Sequence, residues 1–187
     1  MTLASELLPV GTLVLGYLGT LFTESRRDAR EWHREELARS SARKQQLLDR
    51  RESFEIDHLV RLNEALNDLA RASGRLHHLD SMIAKQSGSY ASHQIGDEET
   101  SQAMLAANRS VHTLTGLVLN DGLRELVREA HRACNEPSSL RNATQEEAET
   151  VFHRAVSKLE TAQDGIAVRV RDLYQRGALD AEPAAPS

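Results

Sequence analysis

A run of apolar residues spaced by three and four positions constrains the fold of this chain most strongly. The run comprises eight positions, six of them apolar: Leu59, Leu62, Leu66, Leu69, Ser73, Leu76, Asp80 and Ile83. Steps of three and four residues place side chains along one face of a helix and are typical of a coiled-coil seam. No proline interrupts the chain from Glu24 to Gln86. The pattern therefore predicts a long helix that packs through this seam against other helices.

Two further segments have helical periodicity and recognisable ends. Residues 87–97 are rich in Ser and Gly and predict a loop, after which Asp97 is a suitable N-cap for a helix over 98–134. The sequence Asn120-Asp121-Gly122 interrupts this helix, and whether it splits the helix stays open. Thr144 and Glu147 have the spacing of a capping box and predict the start of the last helix. Its apolar stripe over 145–176 includes Phe152, Leu159, Ile166 and Leu173.

The helices predicted over 51–86, 98–134 and 145–176 have similar lengths. Aromatic residues make up only 4% of the chain and charged residues 27%, a composition typical of long helices. We therefore expect an all-α protein in which residues 51–176 form an antiparallel three-helix bundle with coiled-coil-like packing. Residues 24–50 predict a charged helical stalk, and ion pairs at i,i+4 such as Glu35–Arg39 and Arg51–Glu55 are expected over residues 24–58. The tail 177–187 is expected to be disordered.

The N-terminal segment contains an uncharged run of 17 residues, from Leu7 to Thr23. A helix that crosses a bilayer needs about 20 residues, in a range of about 17–25. A cleaved signal peptide fits less well, because no basic side chain precedes the run. The sequence therefore predicts a transmembrane helix over 7–23, preceded by a short extracytoplasmic N-terminus at 1–6.

Basic residues directly after this run predict its orientation and suggest a contact with membrane lipid. They are Arg26, Arg27, Arg30 and Arg34. By the positive-inside rule the N-terminus is expected outside and the helical body in the cytoplasm of a single-pass protein of the cell membrane. Thr12, Gly16 and Thr20 recur every four residues, a spacing that lets two membrane helices approach closely and self-associate.

In layout the chain resembles the many small uncharacterised single-pass membrane proteins of GC-rich bacteria and their phages. These proteins also combine an apolar N-terminus with an exit helix rich in Arg and Glu and a helical body. The resemblance extends over the whole chain but includes no specific motif. It therefore implies the layout only, and neither an activity nor functional residues.

The sequence contains no convincing constellation for catalysis, a cofactor or a metal. Cys134 is the only cysteine, which excludes an internal disulfide and a cysteine-based metal cluster. Glu55 and His58 have the Glu-x-x-His spacing of di-iron bundles, but a second copy is missing, so we interpret them as solvated side chains. His93 lies in a sequence that departs at once from the phosphoacceptor motif of histidine kinases. The net charge of −5 with no basic face argues against nucleic-acid binding.

These patterns predict a non-enzymatic, membrane-anchored helical scaffold that recruits a cytoplasmic protein or self-associates as a homo-oligomer. The expected partners are membrane lipid, an unspecified protein and a second copy of the chain, and no cofactor, metal or nucleic acid is expected. An alternative stays open: an envelope effector, spanin-like or phage-related, whose helical body lies outside the membrane. The arginines after the apolar run are the only feature that argues against this alternative.

Overall fold

The protein is described here by a computed structural model that covers residues 4–90 and 97–180, with side chains over 32–90 and 97–176. The elements of these ranges are α1 (Ala4–Ser87), α2 (Glu98–Thr115), α3 (Asp121–Asn135), a short 3-10 turn (Pro137–Ser139) and α4 (Gln145–Asp180). No strand occurs in this part of the chain, so the predicted all-α class is confirmed. Two compact units can be distinguished, Met1–Arg51 and Glu52–Ser187, and the second unit is a helical bundle.

The core of the bundle is built from leucines on α1 and α4 and from small residues between them. Leu62, Leu66 and Leu69 on α1 are fully buried, as are Val111 on α2 and Val127 on α3. Six alanines are also buried in this core: Ala65, Ala72, Ala107, Ala130, Ala155 and Ala162. Because a methyl group occupies little space, these positions allow close helix packing around the leucines.

Contacts between helices show that the elements of the bundle alternate in direction. His58 near the start of the bundle lies 2.8 Å from the carbonyl oxygen of Leu114 at the end of α2. On α4, Gln163 donates to Asn67 and Arg169 binds Glu55, so α4 runs antiparallel to α1. On α4, Lys158 binds Glu129 of α3 and the earlier Arg154 pairs with the later Glu136, so α3 and α4 are antiparallel as well.

The segment predicted as helical over 98–134, with its continuity at Asn120-Asp121-Gly122 left open, consists of two helices in the structure. The chain turns back after Thr115, and Asn120 caps α3 by accepting a hydrogen bond of 2.9 Å from the backbone N–H of Leu123. Arg124 then donates to the carbonyl oxygen of Val118 in the turn. The bundle of the described chain therefore has four helices rather than three, because the turn places α3 beside α4 instead of extending α2.

The predicted helix ends can be compared with the structure residue by residue. α1 ends at Ser87, and Gly88 adopts a positive φ of 75° that favours glycine. The capping box is present: Glu147 accepts from the backbone N–H of Thr144 at 2.8 Å, and Thr144 Oγ1 accepts from the N–H of Glu147 at 3.2 Å. α4 continues to Asp180, beyond the expected end at residue 176. The tail 181–187 and the His93 motif lie outside the described residues.

The predicted localisation, a single-pass protein of the cell membrane with its N-terminus outside and a cytoplasmic body, is wrong. In the part of the chain that the structure describes, no helix combines the length and apolarity that a bilayer crossing requires. The run 7–23 stands at the short end of the usual range of about 17–25 residues and contains a proline and three glycines, which lower its apolarity.

The side chains of this segment lie outside the described residues. The same holds for the residues that were predicted to mediate helix association or to determine orientation: Thr12, Gly16, Thr20, Arg26, Arg27 and Arg30. Arg34 is described and is exposed on α1.

Candidate interaction surface

A buried ion pair lies inside the bundle between α1 and α4. Arg169 donates to both carboxylate oxygens of Glu55, at 2.7 and 3.0 Å, and Glu55 is only 4% exposed. The pKa of Arg169 is raised by its hydrogen bond to Glu55. His58 is also buried, stacks on Phe54 and binds the Leu114 carbonyl. The interpretation of Glu55 and His58 as solvated side chains is therefore wrong, because both groups hold helices together.

A second polar cluster joins α1 to the loop before α2 and to α4. The ring of His77 stacks on Phe152 at a centroid distance of 4.3 Å, and its Nδ1 lies 3.2 Å from the hydroxyl of Tyr90. Burial lowers the pKa of His77 and raises the pKa of Tyr90 to about 12. Tyr90 also forms a backbone bridge with Ala143, so this cluster fixes two loops against the end of α1.

A third polar cluster connects α2 with α3. Asn108 Oδ1 accepts hydrogen bonds of 2.7 Å from His131 Nε2 and from the Asn135 amide. Burial, and then the nearby His112, lowers the pKa of His131. In the described ranges no three His, Cys, Asp or Glu side chains are placed to hold a metal ion. The polar groups of these clusters are bound to one another, and their geometry fixes the packing of the helices.

The predicted seam residues occupy the interior of the bundle, with two exceptions. The buried ones are Leu59, Leu62, Leu66, Leu69, Leu76, Leu159, Ile166 and Leu173. Ile83 and Phe152 are only half-buried. Ser73, a polar member of the seam, is buried and donates to the carbonyl oxygen of Cys134 at 3.1 Å. Burial also raises the pKa of the Cys134 thiol to about 11, so this sulfur is held as an unreactive core group.

The surface of α1 over residues 32–51 differs from the rest of the described chain. Every side chain in this segment is exposed. Large apolar side chains are among them: Trp32 at 70% exposure, Leu37 at 57%, Leu47 at 66% and Leu48 at 50%. The predicted ion pair between Glu35 and Arg39 is present at 3.0 Å. Because single exposed apolar residues are common but a tryptophan and three leucines within five turns are not, this segment is the candidate interaction surface.

A shallow groove between α1 and α2 is the second surface feature of interest. Its floor and its α2 side are formed by small residues: Ala72, Ala103, Ala106, Ala107 and Ser110. Arg71, Arg75 and Asp68 stand on its α1 side, where Arg71 binds Asp68 at 2.5 Å. Arg75 has no carboxylate partner among the described residues. Small residues along a groove allow another helix to lie close to both walls.

This surface and the four-helix bundle define the protein only as an all-helical chain with an exposed helical segment. Comparison with protein-family models, with curated proteins and with solved structures gives no match.

Sequence reasoning predicted the stalk as charged but did not single out its apolar residues, since charged residues separate them. It also missed Arg169 as the partner of Glu55, because i,i+4 spacing favoured Arg51. No short-range signal connects Glu55 with a residue 114 positions away.

Proposed function

We propose that this protein is a non-enzymatic helical scaffold that self-associates through the exposed segment 32–51 of α1. The observation that carries the proposal is the complete exposure of this segment together with Trp32, Leu37, Leu47 and Leu48. A helix that lacks a packed apolar face is marginal in water, because most helical stability in proteins comes from tertiary packing. A second helix laid along this segment would supply that packing.

The size of the stabilisation can be judged from the apolar side chains alone. Burying a large apolar side chain contributes about 1.5–3 kcal/mol relative to leaving it in water. Trp32 and Leu47 are each about two-thirds exposed, so both can bury most of their surface against a partner. In a symmetric pair each copy contributes these residues, which doubles the apolar area removed from water.

Sedimentation velocity of the full chain between about 1 and about 100 µM tests the proposal. We expect a mass above that of the monomer that increases with concentration. The double variant Trp32→Glu/Leu47→Glu should lose this association while far-UV circular dichroism shows an intact bundle. Leu105→Glu is the matched control, because Leu105 on α2 is also exposed, at 51%, and lies outside the segment.

Two outcomes would contradict the proposal. A monomer throughout this concentration range would show that α1 does not self-associate. Association that survives in the double variant would place the contact elsewhere in the chain.

A further inference from the structure

One end of the bundle contains a histidine whose two ring nitrogens both face hydroxyl groups. The ring of His77 lies nearly parallel to that of Phe152, with an angle of 8° between the two planes. Its Nδ1 lies 3.2 Å from the hydroxyl of Tyr90, and its Nε2 lies 3.5 Å from Oγ of Ser81. The His77 side chain therefore contacts α1, α4 and the loop before α2 at the same time.

Tyr90 connects this ring to a small cluster that is separate from the main core of the bundle. The tyrosine is fully buried. The other members of the cluster come from α1, from α4 and from the loop before α4: Ala84, Ala148, Leu140 and Ala143. Because this cluster removes less apolar surface from water than the main core does, it can open at a lower free energy than the whole bundle.

Two backbone hydrogen bonds hold the loops together at this end. The N–H of Tyr90 donates to the carbonyl oxygen of Ala143 at 2.9 Å, and the N–H of Ala143 donates to the carbonyl oxygen of Tyr90 at 3.2 Å. Asn142, directly before Ala143, adopts a φ of 58°, in the left-handed region that is unfavourable for residues other than glycine. Residues 140–143 belong to no regular element, so their position depends on the contacts of Tyr90.

Protonation of His77 would change what its ring can bind. A neutral imidazole has one N–H donor and one acceptor nitrogen, and a hydroxyl group can pair with either. A protonated ring is a donor at both nitrogens, so the Tyr90 hydroxyl could no longer donate to it. The positive charge would also have to remain in a half-buried site, which disfavours the charged form.

Titratable groups from three elements face the His77 ring. They are Asp80 and His78 on α1, Glu149 and His153 on α4, and Tyr90 in the loop before α2. Burial lowers the pKa of His77 most, the two carboxylates raise it, and the two neighbouring histidines lower it further. The balance is a lowered pKa, so the folded protein favours the neutral ring.

We infer that His77 is an acid-sensitive tie. Its neutral ring holds Tyr90, and with it residues 140–143, against the end of α1, whereas the protonated ring lets them open while the rest of the bundle stays folded. This inference concerns the bundle and does not depend on the proposed self-association.

The pH range of the opening follows from linkage. A histidine with a lowered pKa stabilises the fold above the pKa that it has in the unfolded chain, about 6.5. This stabilisation is lost as the pH falls through the pKa of the folded protein. The tie should therefore weaken below about pH 6.5.

Amide hydrogen exchange of the full chain, measured by NMR, tests the inference at both amides of the backbone bridge. We expect the protection factors of Tyr90 and Ala143, which correct for the intrinsic effect of pH on exchange, to fall at least about threefold between about pH 7.5 and about pH 5.5. The amide of Leu66, in the middle of α1, should be at least about tenfold better protected at both pH values. Equal protection of all three amides would show that the tie opens only with the whole bundle, which overturns the inference.

An NMR titration of the His77 ring gives the second measurement. The pKa in the folded protein should lie below about 6.5. A pKa at or above this value would show that Glu149, Asp80 or the face of Phe152 stabilises the charged ring, and it would also overturn the inference.

Substitution of single histidines assigns the effect to His77. His77→Gln removes the titrating group but keeps a side chain that can bind the Tyr90 hydroxyl, and protection at Tyr90 and Ala143 should lose its dependence on pH. His78→Gln is the matched control, because His78 is the next residue and is exposed, and it should keep most of this dependence. A dependence in His77→Gln equal to that of the wild-type chain would refute the assignment.

Glu149→Gln provides a test that leaves the ring of His77 in place. Glu149 is exposed, and its carboxylate is the first of the two that raise the pKa of His77. Without this charge the pKa of the folded protein falls further, so protection at Tyr90 and Ala143 should decrease more between the two pH values than in the wild-type chain. An equal or smaller decrease would contradict the inference.

Discussion

Replacing Arg169 by methionine removes one partner of the buried ion pair between α1 and α4. Glu55 is 4% exposed and both of its carboxylate oxygens are bound by Arg169. Removing one partner of such a pair costs about 3–5 kcal/mol, because the remaining charge stays buried without compensation. The Arg169 side chain is 20% exposed, so water can reach the vacated site, and we expect the lower end, about 3 kcal/mol.

Urea unfolding followed by far-UV circular dichroism measures this change in the free energy of unfolding. The matched control is Arg132→Met: Arg132 binds Glu125 at 2.7 Å, but the two side chains are 70% and 51% exposed. The control should cost less than about 1 kcal/mol. The double variant Glu55→Leu/Arg169→Met should recover most of the loss, since it leaves no buried charge.

A loss below about 1 kcal/mol in Arg169→Met would refute the reasoning, because this is the range of an exposed pair. The reasoning would also be refuted if the double variant were less stable than Arg169→Met, because removing the buried charge should recover stability. A small loss in Arg169→Met would show that the pair contributes geometry and little stability, whereas a less stable double variant would show that the loss does not come from an unpaired buried charge.

Three further predictions concern the core, a helix end and the single thiol. Leu69→Ala should lower the free energy of unfolding by about 2–5 kcal/mol in urea titrations. Leu105→Ala, at an exposed position, should change the free energy of unfolding by less than about 0.5 kcal/mol. Equal losses in the two variants would contradict the assigned core. Thr144→Ala should cost about 1 kcal/mol through the lost cap. Hydrogen bonds from Thr144 lower the pKa of Glu147 in the folded protein. The charged carboxylate therefore stabilises the fold above the pKa that Glu147 has in the unfolded chain, and this contribution is lost as the pH falls through the folded pKa. Thermal melts of Glu147→Gln should show a weaker dependence on pH in that range. Cys134 is buried, so it should react with a maleimide only as fast as the bundle opens. A labelling rate in native buffer equal to the rate in urea would show that this thiol is not buried.

Helix content and the main seam could be predicted because their signals are local. The spacing from Leu59 to Leu76 places these leucines on one face of a helix, whichever helices pack against it. The same leucines are buried in the structure. The capping box of Thr144 and Glu147 likewise depends on residues within a single turn.

The chain by itself therefore determines that it is helical, where α1 and α4 begin or end to within a few residues, and which leucines face inward. Only the tertiary structure decides that the chain turns back at Asn120, that Glu55 binds Arg169 and that His58 binds the Leu114 carbonyl. The physical reason is distance along the chain: a helical period specifies which side of a helix is apolar but not which helix becomes its neighbour. The partner of a buried charge therefore depends on which helices pack against each other.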